Sequence, residues 1–104
     1  MACNFVKATS VEIVSATGAE SYYSITVPNT VDLSTSGCLC IGLFTTIPNT
    51  ISCAPVQVTN GTDSVYILRC NGDYWRPCNL KCRSVLHCEV LTDPAHLLIR
   101  GVRR

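Results

Sequence analysis

Val56-Gln57-Val58-Thr59-Asn60-Gly61-Thr62-Asp63-Ser64-Val65-Tyr66-Ile67-Leu68 carries the clearest local signal in the chain. Two short runs rich in β-branched and apolar residues, 56–59 and 64–68, meet across a turn whose Asn-Gly pair supplies the positive φ angles that tight hairpins require. A second pair, Asn71-Gly72, follows at once. Residues 68–75 therefore reverse again, and the piece around Tyr74-Trp75 pairs only briefly.

The same pattern extends upstream. Val11, Ile13 and Ser15 oppose Glu12 and Val14, and Tyr23, Ile25 and Val27 oppose Ser24 and Thr26, the period-two alternation of half-buried strands. These runs, 10–16 and 20–27, are expected to form a hairpin around Thr17-Gly18-Ala19. In Cys38-Leu39-Cys40-Ile41-Gly42-Leu43-Phe44, Cys38, Cys40 and Phe44 fall on one face and Leu39, Ile41 and Leu43 on the other. With both faces apolar, this is a strand covered on both sides, or one face is an interface. Leu39, Ile41, Leu43 and Phe44 are the interface candidates.

Downstream, residues 77–83 are polar and cysteine-rich and read as a loop. Residues 84–91 alternate Val85, His87, Glu89 and Leu91 with Leu86, Cys88 and Val90, which suits a strand, although Asn79 offers a cap for a short helix over the same residues. The strand is the preferred reading. Thr92-Asp93-Pro94 is a turn, because Pro pre-sets φ and Asp93 bonds the backbone beyond it, and 95–102 is the last strand. The motif Thr26-Val27-Pro28-Asn29-Thr30-Val31 returns as Thr46-Ile47-Pro48-Asn49-Thr50-Ile51. It does not return a third time, so it marks two strand ends closed by proline and not a solenoid.

Composition agrees with a β domain. Of 104 residues, 47% are apolar and only 14% charged, which excludes intrinsic disorder and leaves one domain, 1–104, as the expected organisation. Val, Ile and Thr together number 29, and β-branched side chains fit a pleated sheet better than a helix. About seven or eight short strands with regular turn signals predict an all-β, single-domain antiparallel sandwich or small barrel. No basic, apolar leader is visible at the amino terminus, and the uncharged stretch 33–62 is interrupted by Pro48 and Pro55, so no transmembrane segment is expected. The expected location is cytoplasmic or virion-associated.

Eight cysteines, at positions 3, 38, 40, 53, 70, 78, 82 and 88, are the most unusual feature. Three readings stand. Without a leader, most are expected to be reduced thiols packed as small hydrophobes. A disulfide framework is the second, and Cys38 and Cys40, projecting from one strand face, would each take a partner from a neighbouring strand. The third is tetrahedral zinc on Cys70, Cys78, Cys82 and Cys88, without the paired Cys-x-x-Cys knuckles that usually deliver such a site. No cofactor is expected.

Catalysis is not expected either. His87 and Cys88 are adjacent in a strand and face opposite ways, so they do not act as a nucleophile and its base, and His96 is the only other candidate base. The six glycines are singletons and make no phosphate loop. Charge is uneven: 1–68 sum to −3 and 69–104 to +4. Tyr74, Trp75, Arg76, Lys81 and Arg83 mix rings with cations as single-strand nucleic-acid platforms do, and they form the candidate binding set. The plainer reading of that segment is a solvated rim with Trp75 capping the core, so nucleic acid is not the expected partner. Asn60-Gly61-Thr62 matches a glycosylation acceptor but reads as the hairpin turn.

The carboxy-terminal part, from Pro55-Val56-Gln57-Val58-Thr59-Asn60-Gly61 through Thr92-Asp93-Pro94-Ala95-His96-Leu97-Leu98, resembles small all-β proteins of unassigned function from gut bacteria and their prophages. The resemblance covers about residues 55–102. It implies a bacterial or phage origin and a virion or assembly role, and carries no functional residues over. The cysteine load is a departure from it. Taken with the scarcity of charge and the uncharged stretch 33–62, it makes a self-assembling, non-enzymatic structural or interaction protein the leading expectation, its partners further copies of itself and virion or assembly proteins, with no membrane.

Overall fold

The structure, a computed structural model, describes residues 4–15, 20–48, 53–77, 80–92 and 95–103. Among them every regular element is a strand: β1 (Asn4–Lys7), β2 (Ser10–Val14), β3 (Tyr22–Thr26), β4 (Gly37–Leu43), β5 (Val56–Thr59), β6 (Ser64–Leu68), β7 (Ser84–Leu91) and β8 (His96–Arg103). They form one mixed sheet in the order β1-β4-β7-β8-β6-β5-β3-β2, curled into a half-barrel. The all-β expectation is borne out. Three of the seven ladders, β1·β4, β3·β5 and β6·β8, are parallel, so the sheet is mixed and not purely antiparallel. Among the described residues no helix is long and apolar enough to cross a membrane.

The strands that alternation marks are present with the expected facing. β2 and β3 are antiparallel neighbours, and Val11, Tyr23 and Ile25 turn inward. The turn 17–19 lies outside the described residues, as do Asn79, Asp93 and Pro94. β7 runs over the whole of 84–91 as a strand, burying Ser84, Leu86, Cys88 and Val90 and turning Val85, His87, Glu89 and Leu91 outward. Its ladder with β8 contains a bulge, where His87 opposes Gly101 and Cys88 opposes Ile99, leaving Arg100 as the extra residue. Leu68 and Tyr74 form a single antiparallel bridge, the brief pairing expected after Asn71-Gly72.

β1 and β2, the two outermost strands, follow one another in the chain and are separated only by Ala8 and Thr9. The Ala8 N–H donates to the Gly42 carbonyl beyond β1 (2.9 Å), whereas the next N–H, that of Thr9, donates to the Thr26 carbonyl beside β2 (2.7 Å). One extended segment thus hands over from one border of the sheet to the other. The core fills the enclosed space: Leu39, Ile41 and Leu43 from β4, Tyr23 and Ile25 from β3, Val56 and Val58 from β5, Ile67, Leu86 and Leu97. Fully burying each large aliphatic side chain contributes about 1.5–3 kcal/mol.

The β5–β6 turn is built by Asn60, which is 7% exposed. Its Oδ1 accepts from the Thr62 N–H (3.0 Å) and the Asp63 N–H (2.7 Å), and its Nδ2 donates to the Val31 carbonyl (2.8 Å). Gly61 takes φ +93°, which a residue with a Cβ rarely adopts. The side chain thereby ties the hairpin to the loop before β4. Asn60→Ala leaves the Val31 carbonyl and two turn amides without these partners, so urea denaturation is expected to show a loss of about 2–3 kcal/mol. A loss below about 0.5 kcal/mol, the range of ordinary surface substitutions, contradicts this role.

Candidate functional site

Parity decides which face of β4 is available. Leu39, Ile41 and Leu43 are 3%, 0% and 0% exposed and face the interior, so these three interface candidates are corrected to core residues. Both faces were apolar in sequence, and curling of the sheet chose the leucine face as its lining. Much of the uncharged stretch 33–62 is interior as well, including Leu33, Ala54, Val56 and Val58. Phe44 alone of the four stays outside, 46% exposed.

Phe44 has a companion that alternation did not single out. Phe5 on β1 is 51% exposed, and its ring centroid lies 6.1 Å from that of Phe44. Both rings lie over Gly42, where an added Cβ would sit 2.5 Å from Phe44 and 2.9 Å from Phe5. The Lys7 ammonium stands 5.9 Å from the Phe44 ring centroid, within cation–π reach. Further along the same face the register sets Phe5 beside Cys40 and Cys40 beside His87. The Cys40 Sγ lies 3.3 Å from His87 Nδ1.

The candidate binding set divides. Tyr74 is 45% exposed and packs on Tyr66 at 4.9 Å between centroids, and Tyr66 meets Tyr22 at 6.0 Å, so three tyrosines form a column. Arg76 stands 5.9 Å over the Tyr74 ring. Trp75 is half-buried against the core, as a cap would be. A cavity of about 580 Å³ is lined by Arg69, Asp73, Tyr74, Trp75 and Arg76, not by Lys81 or Arg83. The Arg83 N–H donates to the Leu43 carbonyl at the end of β4. Arg76 donates to Glu20 (2.6 Å), which lowers the Glu20 carboxyl pKa, and Arg100 donates to Glu89. Of the cations in the candidate set, Arg76 is thus paired with a carboxylate, and Lys81 and Arg83 do not line its cavity.

The cysteines are likewise dispersed. Cys88 faces the core at 1% exposure, and burial pushes its thiol up to about 12, with the neighbouring Cys40 adding to the rise. Cys70 and Cys82 are exposed, and Cys78 lies outside the described residues. Among the described residues no group of three or more His, Cys, Asp and Glu is placed to hold an ion. Cys40 and Cys88 are reduced and buried, as small hydrophobes would be, but Cys53 joins Cys70 and Cys82 at the surface, and Cys38 is disulfide-bonded to a partner outside the described residues. His96, the candidate base, is half-buried at the start of β8.

Sequence reasoning therefore missed Phe5, Tyr22, Tyr66 and the Cys40–His87 pair. Compared with protein-family profiles, curated proteins and solved structures, the chain finds no match.

A second cavity, about 520 Å³, opens between β1, the start of β4 and the loop 30–37. Asp32 organises that loop. Its carboxylate accepts from the Ser34 Oγ (2.6 Å), the Thr35 Oγ1 (2.6 Å) and the Ser34 N–H (2.8 Å), which together hold its pKa down at about 2. Because the folded value lies below the ordinary 3.8, the stabilisation is present above that value and is lost as pH falls toward about 2. The stability gap between the wild type and Asp32→Asn, followed by urea denaturation, is expected to narrow as pH falls from about 5 to about 2.5. A gap independent of pH contradicts the assignment.

Proposed function

We propose that this protein is a non-enzymatic structural or interaction protein that associates with copies of itself through the outer face of β1 and β4. The observation that carries the reading is the pair Phe5 and Phe44, half-exposed and stacked side by side over Gly42. Two adjoining rings left in water forgo part of the roughly 25 cal/mol per Å² that burial of apolar surface provides. An outer strand face with a glycine beneath the rings and the Lys7 ammonium over one of them suits a shallow contact between like surfaces. The low charge content of the chain, 14%, supports the same reading, since it leaves little electrostatic repulsion between copies. The resemblance of about residues 55–102 to small prophage-associated β proteins makes a virion or assembly component the biological setting we favour.

The test is sedimentation velocity on the wild type and on the double variant Phe5→Ser, Phe44→Ser. The wild type is expected to be a closed oligomer at high micromolar concentration and the variant a monomer. Both rings are half-exposed and lie outside the core, so the variant should remain folded, which a cooperative urea transition checks. A strictly monomeric wild type, or a variant that assembles as the wild type does, overturns the proposal.

A further inference from the structure

We propose that Cys40 is a disulfide-exchanging thiol, with His87 as its base and disulfides of small thiols as its co-reactants. The pair arises from register, not from sequence proximity: Cys40 on β4 and His87 on β7 are direct partners in an antiparallel ladder that holds seven residue pairs. Directly opposed side chains lie on one face of a sheet, and here Sγ and Nδ1 are 3.3 Å apart. With the imidazole proton on Nε2, the thiol donates to Nδ1. β4 is flanked on both sides, by β1 and β7, so the two backbones that set this distance are fixed by hydrogen bonds.

A second observation concerns sulfur chemistry at the same place. Cys38 stands two residues before Cys40 on the same face of β4 and is already in a disulfide. The outer face therefore presents an oxidised sulfur and a histidine-paired thiol side by side. Cys40 is 6% exposed, which limits the co-reactant to a small, slender disulfide. Among the described residues, the other charged groups on this face are Lys7 from β1, Glu89 from β7 with its ion-pair partner Arg100, and Arg103, which opposes Val85 at the end of β8.

The step balances without a further oxidant. The Cys40 thiol passes its proton to His87 Nδ1, and Sγ attacks one sulfur of R–S–S–R. That S–S bond breaks, a Cys40–S–S–R bond forms, and the departing RS⁻ takes the proton from the imidazolium to leave as RSH. The Cys40 sulfur is oxidised and the departing sulfur reduced. Cys88, one strand over and turned inward, is excluded from this chemistry by its burial, while exposed Cys70 and Cys82 serve as references in the same molecule.

The experiment exposes the full chain to 2-hydroxyethyl disulfide, a small and uncharged probe, for timed intervals, quenches with an alkylating agent and locates the modification by peptide mass spectrometry. Cys40 is expected to gain the hydroxyethylthio group. Its rate relative to Cys70 should rise several-fold as pH is lowered from about 8.5 to about 6.5, because His87 Nδ1 stands 3.3 Å from the Cys40 sulfur to take its proton. In His87→Gln the Cys40 rate should fall at least about tenfold near neutral pH, with the ratio to Cys70 no longer rising. Unmodified Cys88 in that variant shows that the fold is retained; if Cys88 becomes modified, the wild-type pH profile alone decides. Modification of Cys70 without Cys40, or a wild-type ratio that does not change with pH, overturns the proposal.

Discussion

Two adjacent amide hydrogens, those of Ala8 and Thr9, point to opposite borders of the sheet, and the rest of the architecture depends on that divergence. The Ala8 N–H bonds Gly42 and the Thr9 N–H bonds Thr26, so the link between β1 and β2 changes partners within one residue. Outermost strands of an open sheet expose rows of donors and acceptors and invite slippage. Here β1 and β2 are the two outermost strands, and the covalent chain itself holds them together. Curling is thereby imposed, and with it an enclosed lining onto which Ile25, Ile41, Val58, Ile67 and Leu97 converge from strands far apart in sequence.

The same closure makes an inside and an outside, and the outside acquires the chemistry. With the interior taken by Leu39, Ile41 and Leu43, the other face of β4 presents Cys38, Cys40 and Gly42 beneath Phe5 and Phe44. Gly42 is small because two rings occupy the space a side chain would need. His87 turns outward because Leu86 and Cys88 turn in. The apolar ring pair and the sulfur–imidazole pair thus share one face as consequences of a single choice of lining. An assembly contact through the rings would pass close to the thiol, so the exchange test belongs on dilute, unassembled protein, and each proposal has its own variants.

Local pattern carried the fold a long way. The extents of β5, β6 and β7 follow from alternation and from an Asn-Gly turn whose side chain and φ angle do the work seen at Asn60 and Gly61, while β2 and β3 stand where expected but are shorter than 10–16 and 20–27. β1 was not legible, because Asn4–Lys7 is four residues long, has one half-buried position and pairs in parallel with a strand 35 positions away, Asn4 beside Leu39. The other parallel ladders, β3·β5 and β6·β8, were hidden for the same reason: nothing in either strand announces a non-local partner. At the surface, neighbours in sequence proved a poor guide. Lys81 and Arg83 do not line the cavity that holds Tyr74 and Arg76, whereas Tyr22 joins that column from β3 and Glu20 pairs with its arginine. Cys40 and His87 meet only through the β4–β7 register.

Amide hydrogen exchange at the hand-over tests the central claim most directly. If the bonds of Ala8 and Thr9 to the two borders hold the half-barrel together, both amides open only with the whole fold. Their exchange, followed by NMR, should then be as slow as that of the core amides of Ile25 and Ile41, all four reporting the global unfolding free energy. Rapid exchange at Ala8 and Thr9 with Ile25 and Ile41 still protected would mean that the borders come apart without loss of the core, and would contradict the account.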